Sequence, residues 1–343
     1  MGNWGTAPKL PDLLELGERP VTYSEAIYEA MRIALATNPA VRVFGEGATD
    51  PLGTYGTTKG LDKEFGEERV FDVPLAEALI TGIGIGMALV GLRPILIHPR
   101  NDFLLLAMDQ LCNQAAKWRY MFGNRIGVPL VVRSAICRGW GSAAQHSQAL
   151  HSTLAHFPGL NVLVPFTPYD AKGFLLWAVF EAEDPVVIIE HRWLYKLSGD
   201  VAQGKYICQP GIPKIIRQGK DITMVGISYG VVDALQSATQ LETLGIEPEI
   251  IDIRSLKPLQ IEVICKSVEK TGRLMVIDPG HTLFGASAEV ITRVMEKLSP
   301  SKIKSPPVRV GLPDSPIPAS SEETYYFKPK DITAIATKMI KGV

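Results

Sequence analysis

One carboxylate in this 343-residue chain sits where polar groups are scarce. Glu77 lies in the run from Val70 to Val90, which opens like a short strand, turns at Pro74 and continues as a long helix. That helix is apolar almost all round, the pattern of a buried element. A carboxylate buried without a partner is costly enough to take up a proton instead of staying charged. Either the fold supplies Glu77 with a partner, or the carboxyl is kept in a dry place for proton chemistry. The plain alternative is a glutamate at a helix start, favoured by the macrodipole, since Pro74 suits a first helical turn.

A second cluster is Arg138-Gly-Trp-Gly-Ser-Ala-Ala-Gln-His-Ser-Gln148. Its glycines and small residues let a backbone approach a ligand closely, and an imidazole, a hydroxyl and two amides gather at its end. His146 is read either as a catalyst or as a satisfied loop histidine; His151, His156, His191 and His281 are read as structural. Ser147 beside His146 makes no hydrolase triad, because the G-x-S-x-G elbow is missing. The glycines at 82, 84 and 86 fail the dinucleotide fingerprint, which needs glycine where Met87 stands. Gly82 and Gly86, about one helical turn apart, suit the close approach of another backbone. With no Walker pattern and no paired metal-ligand spacing, no transition-metal site is expected.

The elements that must position these residues alternate. Helices are expected at Tyr23 to Thr37, Phe103 to Phe122 and Asp170 to Glu181. Apolar strands are expected at Val41 to Phe44, Arg93 to Ile97, Val128 to Val132, Leu160 to Pro165 and Pro185 to Ile189. Continuous apolar strands alternating with helices imply a parallel sheet covered on both faces, whose ligands sit beyond the strands' carboxyl ends. Those ends carry Glu46, Arg100 to Phe103 and the loop before His146. A second alternation runs from Ile222 to Gly311, with a last helix at Pro329 to Ile340. The expected organisation is an arm over residues 1–20, a domain over 21–195, a linker over 196–219 and a smaller α/β domain over 220–343. Tyr325, Tyr326 and Phe327 are expected to pack on a partner or on their own domain.

Composition narrows the classes. Thirty-five Lys and Arg against 36 Asp and Glu give a charge of −1, which points to neither nucleic acid nor an anionic membrane surface. Four separated cysteines without a C-x-x-C pair argue against zinc and disulfides and fit a reducing compartment. No run approaches the roughly 20 apolar residues of a membrane span. Without secretory or transit features, a soluble cytoplasmic protein is expected.

The two clusters fall in a longer order: strand, Pro, Glu77 and a Gly-rich helix, then Gly91-Leu-Arg-Pro94 and Asp102-Phe-x-x-x-Ala-x-Asp-Gln110. Tyr120, Pro129, Arg133, Gln145-His-Ser-Gln148, Pro158-Gly159, Asp170-Ala-Lys-Gly173, Pro185-Val-Val187 and Glu190 follow, with Asp252-Ile-Arg-Ser-Leu-Lys-Pro258 and Ser267-Val-Glu-Lys-Thr271 further on. From about Tyr23 to the end, the chain resembles the β subunit of the thiamine-diphosphate-dependent 2-oxo acid dehydrogenase E1 component, of pyruvate or branched-chain type, in the transketolase-like superfamily. The resemblance implies two parallel-sheet-rich α/β domains, a pyrimidine-binding domain and a transketolase C-terminal domain. It implies thiamine diphosphate shared with an α subunit in an α2β2 tetramer, with magnesium held by α, because Gly-Asp-Gly with paired Asn is missing here. It implies decarboxylation of a small 2-oxo acid and acyl transfer to a lipoyl arm, with a lipoyl acyltransferase core as a further partner.

Carried over by position, Glu77 matches the glutamate that hydrogen-bonds N1′ of the aminopyrimidine, a contact that promotes loss of the weakly acidic thiamine C2 proton. Glu46 matches an acidic residue near the coenzyme ring, Phe103 an aromatic stacked on the pyrimidine, and His146 a histidine facing the substrate channel. Departures are His98-Pro-Arg100 before the aromatic, Trp140 in the loop, and Asp278-Pro-Gly-His281 in place of a Glu-rich turn. Glu181-Ala-Glu-Asp184 is one residue longer than the family's potassium-binding turn, which leaves that ion open. The alternatives are the β half of a split carboligase or transketolase with an aldehyde or sugar acceptor, and a non-catalytic scaffold subunit. Glu77, Phe103 and His146 together speak against the scaffold.

Overall fold

The apolar runs fold into two parallel-rich sheets, one in each of two units of the computed structural model, which describes residues 13–14 and 17–342. Most of the expected arm, residues 1–20, lies outside the described residues. The N-terminal unit takes residues 17–138 and 153–210. Its strands are β1 (Pro20–Thr22), β2 (Val41–Gly45), β3 (Val70–Asp72), β4 (Arg93–His98), β5 (Val131–Ile136), β6 (Asn161–Leu163), β7 (Val186–His191) and β8 (Ser198–Asp200). Its helices are α1 (Tyr23–Thr37), α2 (Leu61–Phe65), α3 (Glu77–Leu89), α4 (Ala116–Met121), α5 (His151–His156), whose first two residues are grouped with the second unit, and α6 (Pro168–Phe180). The sheet order is β6-β7-β5-β4-β2-β3, parallel at every one of these pairings. Every residue of β5 and β7 is buried, the apolar ones together with Arg133, Ser134, Glu190 and His191 near their carboxyl ends.

Helix α1 shows how local sequence sets an element. Thr22 caps it and Glu25 returns the bond in a capping box. Its buried stripe of Tyr23, Ala26, Ile27, Ala30, Met31, Ala34 and Leu35 follows helical spacing and packs on α6. Helix α6 is capped in turn by Thr167, whose Oγ1 accepts the Asp170 amide at 3.0 Å.

The second unit takes residues 139–152 and 211–342. It contains β9 (Lys214–Arg217), β10 (Ile222–Gly226), β11 (Pro248–Asp252), β12 (Ser255–Lys257), β13 (Leu274–His281) and β14 (Val308–Leu312). Its helices are α7 (Gly230–Glu242), α8 (Glu262–Thr271), α9 (Ala286–Lys297), α10 (Glu322–Tyr325) and α11 (Pro329–Lys341). The order β14-β13-β10-β11-β9 is parallel except for β9, an antiparallel edge strand. Tyr326 buries itself against Leu312 and Ile317, so the aromatic terminus packs on its own unit.

Four local readings change. The stretch 196–219 holds β8 and β9, and β8 pairs with β1 through Pro20↔Asp200 and its neighbours. Phe103 to Phe122 is not one uniform α-helix. It winds as a 3-10 turn over Asn101–Ala107, a π turn over Asp109–Ala115 and then α4. That change of pitch keeps Leu104, Ala107, Leu111 and Ala115 buried together. Helix α3 starts at Glu77, three residues after Pro74, and is buried on one face only. Leu75, Leu79, Ile83 and Val90 are 80, 59, 44 and 78 % exposed. The close approach in α3 is at Gly84, where a Cβ would meet Leu130 at 3.0 Å and Phe44 at 3.3 Å; Gly82 and Gly86 face outward.

Across β5 and β7, buried Arg133 binds Glu190 with two bonds, at 2.6 and 3.0 Å. Tyr195 donates to the same carboxylate at 2.7 Å, and Arg133 reaches Thr57 Oγ1 at 3.3 Å. Removing one partner strands the other charge. Glu190→Ala is expected to cost about 3–5 kcal/mol, read as a lower urea midpoint, whereas the double change Arg133→Met with Glu190→Met recovers most of the loss.

Candidate functional site

Three adjacent parallel strands, β3, β2 and β4, end in register at Asp72, Gly45 and Ile97. Gly45 is required there because a Cβ would lie 2.3 Å from the Ile97 carbonyl oxygen. The chain then turns through Glu46, and the Gly47 amide donates to Asp72 Oδ1 at 2.9 Å. Burial pushes the Glu46 carboxyl up to about 7, assisted by the charges of Glu77 and Asp72. Its Oε1 is buried and has no hydrogen-bond partner among the described residues. Glu77, at the first position of α3, is 8 % exposed, and no side-chain bond to its carboxylate is found among those residues. The structure therefore brings Glu46 and Glu77 together as two half-dry carboxyls that lack donors. Such a pair suits a ligand that presents N–H groups or a shared proton.

Next along the edge, His98 is buried and pushed down to about 4 by that burial, so it is a neutral imidazole at ordinary pH. Its Nε2 lies 3.0 Å from Thr81 Oγ1 and ties β4 to α3. This gives the unusual His98 a structural role. Arg100 keeps one buried guanidinium nitrogen without a partner among the described residues. Phe103 lies in the 3-10 turn after β4, half-buried.

Sequence reasoning missed Tyr55, which lies between β2 and α2. Tyr55 adopts φ 51°, donates to the Pro99 carbonyl at 3.3 Å and lies 3.6 Å from Cys137 Sγ. The Arg192 guanidinium stacks 4.9 Å from its ring centroid. Burial pushes the phenol and the Cys137 thiol up, while Arg100 and Arg192 oppose both shifts. The only advance signal was an aromatic flanked by glycines, Gly53 and Gly56.

His146 belongs to the other unit. It is half-buried, and its amide donates to Ala143 at 3.3 Å. The loop before it runs left-handed at Gly139, Trp140, Gly141 and Ala143, with φ of 91, 64, 63 and 61°. Trp140 and Ala143 each carry about 1–2 kcal/mol of backbone strain there. The amides of Gly139 and Gly141 both donate to the Glu322 carboxylate, each at 2.6 Å. Buried His151 Nε2 lies 2.8 Å from Asp278 Oδ1.

The acidic turn Glu181 to Asp184 is occupied by protein groups. Arg93 donates to the Ala182 carbonyl at 2.7 Å, Arg119 to Asp184 at 2.6 Å and to Glu183 at 3.0 Å, and Gln209 to Glu181 at 2.6 Å. These residues do not fit an added cation: a guanidinium already holds the carbonyl, and side chains answer all three carboxylates.

Residues 19–198 match the transketolase pyrimidine binding domain, and residues 211–332 the transketolase C-terminal domain. The chain is 38 % identical to the acetoin:2,6-dichlorophenolindophenol oxidoreductase subunit beta of Bacillus subtilis (strain 168), over 94 % of this chain and 98 % of that one. It is 36 % identical to the pyruvate dehydrogenase E1 component subunit beta of the same organism, over 94 % and 99 %. To the 2-oxoisovalerate dehydrogenase subunit beta it is 37 % identical, over 90 % and 94 %. Among solved structures, an inactive beta4 tetramer of a split-gene transketolase matches with a TM-score of 0.74 at 24 % identity, covering 94 % of this chain and 98 % of that one; this likeness shows the fold. No helix among the described residues is long and apolar enough to cross a membrane.

The raised Glu46 carboxyl makes stability depend on pH. The folded chain holds this proton up to about 7 while the unfolded chain loses it near 4.5, so the stabilisation is complete below 4.5 and is lost as pH rises to 7. Glu46→Gln is expected to flatten that decline and to melt at a higher temperature than the parent above pH 7. Melting curves from pH 5 to 8 check this; parallel profiles would contradict it.

Proposed function

The chain belongs to the family of E1-type β subunits built from a transketolase pyrimidine-binding domain and a transketolase C-terminal domain, and from that premise we propose that it is the β half of a thiamine-diphosphate-dependent 2-oxo acid dehydrogenase. The observation that carries the reading is the pair of carboxyls at the carboxyl edge of the sheet, Glu46 with a buried orphan oxygen and Glu77 without a side-chain partner. An aminopyrimidine offers the donors that such a pair lacks, so the residues present fit the coenzyme. Thiamine diphosphate supplies, when bound, a carbon nucleophile and an electron sink for loss of CO2 from a 2-oxo acid.

The chain's own residues then take the following roles. Glu77 holds a proton toward N1′ of the pyrimidine, and its largely water-free surroundings strengthen that hydrogen bond. Glu46, already poised near neutrality, limits the negative charge beside it. Phe103 offers a ring face for stacking. His146 donates to the carboxylate or developing oxyanion of the substrate. The acyl group leaves to a lipoyl arm carried by an acyltransferase partner.

An α subunit completes the assembly as an α2β2 tetramer and brings the magnesium and diphosphate site. The outward stripe of Leu75, Leu79 and Ile83, with Gly82 and Gly86 beside it, is the surface we assign to a partner subunit. Within the same proposal, 21–195 is the pyrimidine-binding domain, 220–343 the C-terminal domain, and 196–219 the linker that joins them while lending β8 and β9 to the sheets.

The test is co-purification with candidate α chains, then decarboxylation assays over a panel of 2-oxo acids. Glu77→Gln is expected to lower turnover by at least about 10²-fold with the tetramer intact. Undiminished turnover in the reconstituted complex would remove Glu77 from the chemistry. The isolated chain is expected to bind thiamine diphosphate poorly, and tight binding without α would contradict the shared site.

A further inference from the structure

The loop that carries His146 is bracketed by two buried carboxylates from distant parts of its own unit. Upstream, Glu322 at the start of α10 takes the amides of Gly139 and Gly141, each at 2.6 Å, and Tyr326 donates to its Oε1 at 3.2 Å. Downstream, Asp278 within β13 takes His151 Nε2 at 2.8 Å; the Gly280 amide binds the same oxygen at 2.8 Å and the Ser287 amide the other at 3.3 Å. Glu322, Asp278 and His151 are 8, 0 and 1 % exposed, so these bonds are shielded from water.

The backbone between the brackets does not hold its shape alone. Four left-handed residues, two of them non-glycine, shape a turn in which the Gly139 and Gly141 amides point at one carboxylate. A carboxylate seated in that turn keeps Trp140 and Ala143 in a conformation they otherwise avoid. His151 is five residues beyond His146, so the segment is fixed on both sides of the imidazole.

We propose that Glu322, with Asp278 as its counterpart, is a positioning residue for the reaction: it sets the conformation of the loop that presents His146 to the substrate. This rests on the reading that His146 acts on the substrate. Glu322 touches neither coenzyme nor substrate in this proposal and works through the Gly139 and Gly141 amides.

The experiment uses the reconstituted complex with Glu322→Ala, Glu322→Gln and His146→Ala, following steady-state kinetics and peptide-resolved hydrogen exchange. Glu322→Ala is expected to lower kcat/KM for the 2-oxo acid by about 10- to 100-fold. Half-saturation by thiamine diphosphate should stay unchanged, because Glu46, Glu77 and Phe103 are in the other unit. Exchange at Gly139 and Gly141 should quicken by at least about tenfold. Glu322→Gln keeps the shape and one acceptor oxygen, so it folds where the alanine variant fails and should show a smaller loss in both readouts. Unchanged exchange, or faster exchange with unchanged kcat/KM, overturns the positioning role. If His146→Ala itself leaves kcat/KM unchanged, the role of His146 fails first, and the exchange data then report on the carboxylate bracket alone.

Discussion

The buried pair of Arg133 and Glu190 is the constraint on which the carboxyl edge of the N-terminal sheet depends. Taking two charges out of water is favourable only when every remaining donor and acceptor also finds a partner. Here that demand recruits Tyr195 to the carboxylate and Thr57 to the guanidinium. Thr57 lies two residues after Tyr55, so fixing one fixes the left-handed turn that presents the other against Pro99 and Cys137. A pair between two central strands thus organises a loop that has almost no apolar pattern of its own. Replacing either charge would loosen that loop as well as the sheet.

A few strands away the same edge solves its electrostatics in the opposite manner. Glu190 collects three short bonds, whereas Glu46 is left with a buried orphan oxygen beside a second carboxyl. Arg100 and Arg192, which follow β4 and β7 at the same edge, act on Tyr55 and Cys137 instead. Proteins relax such local rules mainly at functional sites, and here a pair of carboxyls without donors among the described residues stands at the carboxyl end of a parallel sheet.

Much of this was legible in the sequence because it is local. The apolar runs Val128 to Val132 and Pro185 to Ile189 marked two central strands, the helix expected at Tyr23 to Thr37 is α1, and Glu77 stood out as a lone charge in an apolar run. What could not be read depends on contacts far apart in the chain. Gly139 and Glu322 are separated by 183 positions and His151 and Asp278 by 127, so nothing near the His146 loop foretold its supports. The shift from 3-10 to π winding after Asn101 is likewise a response to packing, since its residues carry no breaker. Helix α3 was misread for a related reason. An apolar surface records that water is excluded, and the sequence does not say whether the same chain excludes it.

That last point links assembly to chemistry. Glu77 is the first residue of α3, and Leu79 and Ile83 stand exposed within the next two turns of the same helix. The stripe lies on the far side of the helix from the buried face that Glu77 shares with Ile80, Thr81 and Gly84, so one short cylinder offers an apolar surface outward and a carboxyl inward. Drying a carboxyl strengthens each hydrogen bond made to it and makes an unmade one more costly. Glu46, lifted by burial and by its neighbours, is in the same position. The helix with the open apolar face is therefore also the helix that supplies one member of the acid pair.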